Sequence, residues 1–155
     1  MSGLLMERRI LAIASGGGHW VQLRRLYPAF DGLQVAFASV YRDYAHDVAP
    51  HRFYDFPDVS RFSKSNLLQL LIRIFTILVR ERPHVVITTG SFPGLVTIAI
   101  AKTFFRSKTI WIDSIANCEQ LSTSGSRARA FADVYLTQWP HLAQEGGPEH
   151  WGAVL

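Results

Sequence analysis

Short apolar runs alternate along the chain with longer stretches whose apolar residues recur every three or four positions. Arg9–Ala14 (RILAIA), Gln34–Ser39 (QVAFAS), His84–Thr88 (HVVIT), Thr109–Asp113 (TIWID) and Val134–Thr137 (VYLT) read as strands, and His51–Phe56 as a weaker one. Helical spacing begins at His19 and ends near Pro28. It returns over Asn66–Arg82, closed by Pro83, and again over Leu95–Phe105 and Ser126–Ala132, with a shorter stretch at Tyr41–Val48. Asp58–Ser65 is polar and turn-like, and the tail from Gln144, with its Gly146-Gly147-Pro148, reads as extended. Strands that are apolar on both faces and alternate with helices predict a parallel sheet covered on both sides. The expected architecture is a doubly wound, mainly parallel, Rossmann-like α/β domain of about five or six strands. It spans residues 1–143 and is followed by a tail, 144–155.

Composition narrows the picture. The 155 residues suffice for one core, and 48% apolar with 18% charged residues excludes a disordered chain. Sixteen Lys and Arg against 12 Asp and Glu give a formal charge of +4. That suits an anionic partner such as a nucleotide or lipid phosphate, but it is modest for nucleic acid and no recognition motif accompanies it. The single Cys118 excludes an internal disulfide framework, and with no metal-ligand spacing among the histidines neither a structural zinc nor any cofactor is expected. No signal-peptide pattern is read at the N-terminus and no run reaches the about 18 apolar residues of a membrane span. A cytoplasmic chain with peripheral membrane contact is the expectation.

In such sheets ligands bind where strands enter helices at their carboxyl ends. Ser15-Gly16-Gly17-Gly18-His19 occupies one such place. Consecutive glycines let backbone N–H groups approach an anion, yet the spacing is neither the dinucleotide fingerprint nor a P-loop, and a plain flexible turn fits as well. His19, at the start of the next helix, serves either as a cap or as a neutral base for a substrate hydroxyl. Gly90-Ser91-Phe92-Pro93-Gly94 is the equivalent loop after another strand, so the two would face one cleft. Asp113, with Asn117 close behind, either orients His19 or binds a hydroxyl, or else forms a turn with Ser114. In the 66–82 helix, Gln69, Arg73, Thr76 and Arg80 form one narrow polar stripe on an otherwise apolar cylinder. Either the helix is wedged against other elements, or apolar residues such as Leu71 and Phe75 meet lipid or a partner with Arg73 and Arg80 near headgroups.

Four segments stand in a characteristic order: SGGGH (Ser15–His19), TTGSFPG (Thr88–Gly94), IDS followed by LSTSG (Ile112–Gly125), and ADVYLTQWPHL (Ala132–Leu142). In this the chain resembles the membrane-associated, acceptor-binding subunit of split GT-B glycosyltransferases. That family includes the small subunit of bacterial exopolysaccharide glucuronosyltransferases and the membrane subunit of the eukaryotic dolichol-linked N-acetylglucosaminyltransferase. The resemblance implies the N-terminal half of a GT-B enzyme, working with a separate nucleotide-sugar-binding chain on the cytoplasmic face of the membrane. It implies an inverting transfer of glucuronic acid or N-acetylglucosamine from a UDP-sugar to a polyprenyl-diphosphate-linked acceptor. Gly16–Gly18 and Gly90–Gly94, with Ser15, Ser91, Pro93, Ser114 and Asn117, would hold the acceptor. His19 would be the general base and Asp113 its companion, while Trp139 and the tail would dock the partner. Where the family carries Glu-Ser this sequence has Asp113-Ser114, and the N-terminal anchor of the eukaryotic relatives is not read here. A non-catalytic membrane anchor of the partner and a stand-alone nucleotide-sugar-binding protein are the competing readings.

Overall fold

The computed structural model describes residues 8–59 and 63–154. The polar stretch expected at Asp58–Ser65 and the N-terminal residues lie partly outside these. Seven parallel strands form one sheet in the order β3-β2-β1-β4-β5-β6-β7. They are β1 (Arg9–Ile13), β2 (Gln34–Ser39), β3 (Arg52–Asp55), β4 (Val85–Thr88), β5 (Lys108–Ile112), β6 (Val134–Thr137) and β7 (Glu149–His150). Four α-helices cross between them: α1 (Gly18–Arg25), α2 (Lys64–Glu81), α3 (Phe92–Phe105) and α4 (Thr123–Ala128). Tyr41–Val48, expected as a short helix, is a 3-10 helix over Arg42–Val48 with Tyr41 at its N-cap.

Strand period sorts the core into two layers. From β1, Leu11 and Ile13 enter a cluster with Leu70, Ile74 and Ile77 of α2 and Ile98 of α3. The alternate residues Ile10 and Ala12 enter a second cluster with Trp20 and Leu23 of α1. Both faces are therefore covered, as the uninterrupted apolar strands require.

The differences from expectation lie at the ends of elements. α2 begins two residues early because Ser63 caps it, its hydroxyl accepting from Asn66 N at 3.2 Å. α3 begins at Phe92 because a proline is tolerated in a first helical turn. α4 is Thr123–Ala128 rather than Ser126–Ala132, capped by Ser122, whose Oγ accepts from Gly125 N at 2.8 Å. The sheet has seven strands, not five or six, because Glu149 and His150 of the tail pair beside Leu136 and Thr137. The tail's end is tied down as well: Val154 N donates to Gln138 Oε1 at 2.8 Å, and Arg25 donates to the Val154 carbonyl at 3.3 Å.

Candidate functional site

Strand order reverses between β1 and β4, which are neighbours in register from Ile10↔Val85 to Ile13↔Thr88. The loops leaving these two strands therefore diverge to opposite faces and open a crevice between them. Both glycine loops lie here.

In the first loop, Gly17 takes φ 66° and caps α1, with no carboxylate in the helix's first turn. At Gly16 a Cβ would stand 2.5 Å from the Tyr41 ring, so a side chain there would have to displace that exposed tyrosine. Tyr44 Oη supports the loop by accepting from Gly17 N at 3.2 Å. Gly18 is different: a Cβ there meets nothing within 4 Å and its backbone is helical. Gly18→Ala is thus expected to leave stability unchanged or raise it by up to about 1 kcal/mol, read as the urea midpoint. A fall in activity in that variant would mark the open space as ligand space.

The second loop holds Gly90 at φ 118° and Ser91 at φ 75°, ψ 163°, a region populated almost only by glycine. The Ser91 hydroxyl is buried with no hydrogen-bond partner. Strain and an unsatisfied buried hydroxyl on one residue each cost about 1–3 kcal/mol. Ser91→Gly removes both, against about 0.4–1 kcal/mol for the freer unfolded chain. A melting temperature raised by a few degrees is the expected result in a thermal scan.

His19 joins the loops. Half-buried, it places Nδ1 3.0 Å from the Thr89 carbonyl oxygen, while the buried Thr89 Oγ1 donates to the His19 carbonyl at 2.7 Å. A carbonyl only accepts, so Nδ1 carries the proton and Nε2 of the neutral ring keeps its lone pair. The N-termini of α1 and α3, both free of acidic residues in their first turns, flank this imidazole. Such ends favour an anion.

Several expected site residues sit elsewhere. Pro93 and Gly94 are buried, and a Cβ at Gly94 would lie 2.2 Å from Thr88 Oγ1, so they seat α3 on β4 rather than face the crevice. Asp113 does not orient His19. It is 1% exposed, and its oxygens accept from Trp111 Nε1, Asn117 Nδ2, Ser122 N and Ser122 Oγ at 2.7–3.2 Å. With these four positions filled, the carboxylate and Asn117 organise their own loop. Ser114 Oγ accepts from Gln22 of α1 at 3.0 Å and from Ala116 N at 3.3 Å. Gln22 and Gln138, buried and bonded to each other at 2.6 Å, extend this network toward the tail. Trp139 is half-buried on the same loop, donating to the Ile115 carbonyl at 2.8 Å.

On α2 the outward face is itself apolar, with Leu68, Leu71, Ile72, Phe75 and Val79 exposed beside Phe104 of α3, which is 69% exposed. Arg80 is exposed. Arg73 does not reach outward as a headgroup ligand would: its guanidinium is held by Asp55, at 2.7 Å to the carbonyl and 3.2 Å to the carboxylate. That pair lines a cleft of about 790 Å³ between the ends of β2 and β3 and the near turns of α2. Among the described residues no helix is long and apolar enough to cross a membrane, and no cluster of acidic, His and Cys residues forms a metal site.

The fold is that of one half of a two-lobed GT-B-like enzyme. Acinetobacter baumannii MurG superposes with a TM-score of 0.71 at 12% identity, covering 91% of this chain and 44% of that one. The UDP-GlcNAc 2-epimerase of Methanocaldococcus jannaschii gives 0.61 at 11% identity, covering 83% and 39%. Residues 59–155 match the family described as oligosaccharide biosynthesis protein Alg14 like, and the chain belongs to that family. Among its relatives, the UDP-N-acetylglucosamine transferase subunit ALG14 of Eremothecium gossypii is 24% identical over 179 residues, covering 96% of this chain and 80% of that protein. The protein of the same name from Cryptococcus neoformans var. neoformans serotype D is 27% identical over 81 residues, 48% of this chain and 35% of that one.

Proposed function

We propose that this chain is the acceptor-binding half of a two-chain inverting glycosyltransferase and carries its general base. The observation that supports this best is the His19 imidazole, clamped through Nδ1 at the switch point with its Nε2 lone pair free between two helix N-termini. In this reading the helix ends and the backbone N–H groups near Gly18 and Ser91 hold the diphosphate of a polyprenyl-linked acceptor. The acceptor hydroxyl oxygen attacks the anomeric carbon of the UDP-sugar, its proton passes to His19 Nε2, and the bond from that carbon to the UDP oxygen breaks. The resulting imidazolium keeps its charge-assisted bond to Thr89. A partner chain holds the nucleotide and receives the departing diphosphate. That division of labour is consistent with the 44% of MurG that this chain covers.

The names of the ALG14 relatives favour N-acetylglucosamine as the sugar, with glucuronic acid the alternative to be tested beside it. The outward face of α2, with Leu71, Phe75 and Arg80, would rest on the cytoplasmic surface of the membrane. Trp139 and the tail beyond it would receive the partner.

The test is transfer from radiolabelled UDP-sugars to polyprenyl-diphosphate-linked acceptor in membranes, comparing the chain alone, its partner alone and the pair. Product from the pair only is expected. Product from this chain alone would refute the half-enzyme reading.

A further inference from the structure

We propose that Thr89 and Gly90 are positioning residues that seat the His19 imidazole and fix which of its nitrogens is free. Thr89 is fully buried just past the end of β4, and it grips one residue at two points, carbonyl to ring and hydroxyl to carbonyl. A β-branched side chain has few rotamers, so its hydroxyl holds the first turn of α1 at a set distance from the strand end. The two bonds together define the ring's plane as well as its place.

Gly90 completes the seat. A Cβ at this position would stand 3.0 Å from both Cε1 and Nδ1 of His19, and with φ at 118° an L side chain would be strained there in any case. The glycine of the second loop is thus demanded by the imidazole of the first. Without the seat, a neutral imidazole is free to carry its proton on Nε2, the atom that must accept one for His19 to act as a base.

The kinetic consequence rests on the base role proposed above, whereas the tautomer does not, so the test has two arms. In the first, the ¹⁵N-labelled full chain, without its partner, is studied by long-range ¹H–¹⁵N correlation at alkaline pH, with the His19 ring assigned from a His19→Asn spectrum. The wild-type ring is expected to carry its proton on Nδ1. Thr89→Val is expected to populate the Nε2–H form, and Thr89→Ser to restore the wild-type spectrum. In the second arm, Thr89→Val in the assembled pair is expected to lower kcat by up to about 10²-fold with the acceptor KM unchanged, as a misplaced reacting group does. Thr89→Ser recovers it.

A wild-type ring protonated on Nε2, or a Thr89→Val ring that keeps the wild-type tautomer, overturns the proposal. If Thr89→Val does not fold, the wild-type spectrum and Gly90→Ala, expected to displace the ring resonances, decide it. An Nδ1–H ring in a pair that transfers no sugar leaves the seat standing and removes the base role.

Discussion

His19→Ala, assembled with the partner chain, is expected to transfer sugar on the order of 10²–10⁴-fold more slowly than wild type, the usual contribution of a positioned general base. Assembly and folding are expected to survive, because α1 is held by the buried side chains of Trp20, Gln22 and Leu23 rather than by His19. The acceptor KM should move little, since in the proposed mechanism the proton is taken only as the new bond forms. His19→Asn is the sharper control. Its amide nitrogen sits where Nδ1 sits and can still donate to Thr89, so the loops stay joined while the basic nitrogen is lost. Equal defects in the two variants would isolate the chemistry, and transfer at the wild-type rate in either would leave the chain as an anchor for a self-sufficient partner.

Gly94→Ala is expected to destabilise the fold by about 3 kcal/mol, at the upper end of what overpacking a core costs. The added methyl would lie 2.2 Å from Thr88 Oγ1, 3.1 Å from its Cβ and 3.3 Å from its Cγ2. Thr88 has no room to yield: it is fully buried, β-branched, and engaged through its hydroxyl with Gly90. α3 must retreat from β4, loosening the contacts of Leu95 and Ile98 with the core. For a chain of this length the melting temperature should fall by about 6–12 °C. Gly18→Ala, in open space immediately before His19, is the matched control. A similar loss in both variants would contradict this account of the second loop.

The fold was legible because its signals are local. β2 and β6 lie where the apolar runs QVAFAS and VYLT place them, and the alternation of runs with helical spacing suffices for a doubly wound sheet. β7 escaped because Glu149 and His150 carry no strand signal, and their pairing comes from where the tail is tied. The site was legible as two glycine loops and a histidine, but not as a set of contacts. The partner of His19 is a main-chain carbonyl, which any residue supplies, so nothing in the sequence singles out Thr89. Asp113 stands out as an acidic residue closing the apolar run TIWID, but the donors that occupy it lie up to nine positions downstream, at Ser122. Helical phase alone places Arg73 on the polar stripe, and it does not reveal that Asp55 at the end of β3 draws the side chain sideways.

The outward face of α2 also governs how the isolated chain behaves in a test tube. The sheet's own open edges are short, four residues at β3 and two at β7, and so offer little template for strand addition. The contiguous side chains from Leu68 to Val79, with Phe104 beside them, are a different matter, since an uncovered apolar patch drives association. Self-association of the purified subunit should therefore be side-chain driven, reversible and concentration-dependent. A mild detergent should disperse it at concentrations that leave the secondary structure intact, so gel filtration in its absence would report the stickiness of one helix rather than the stoichiometry of any functional assembly.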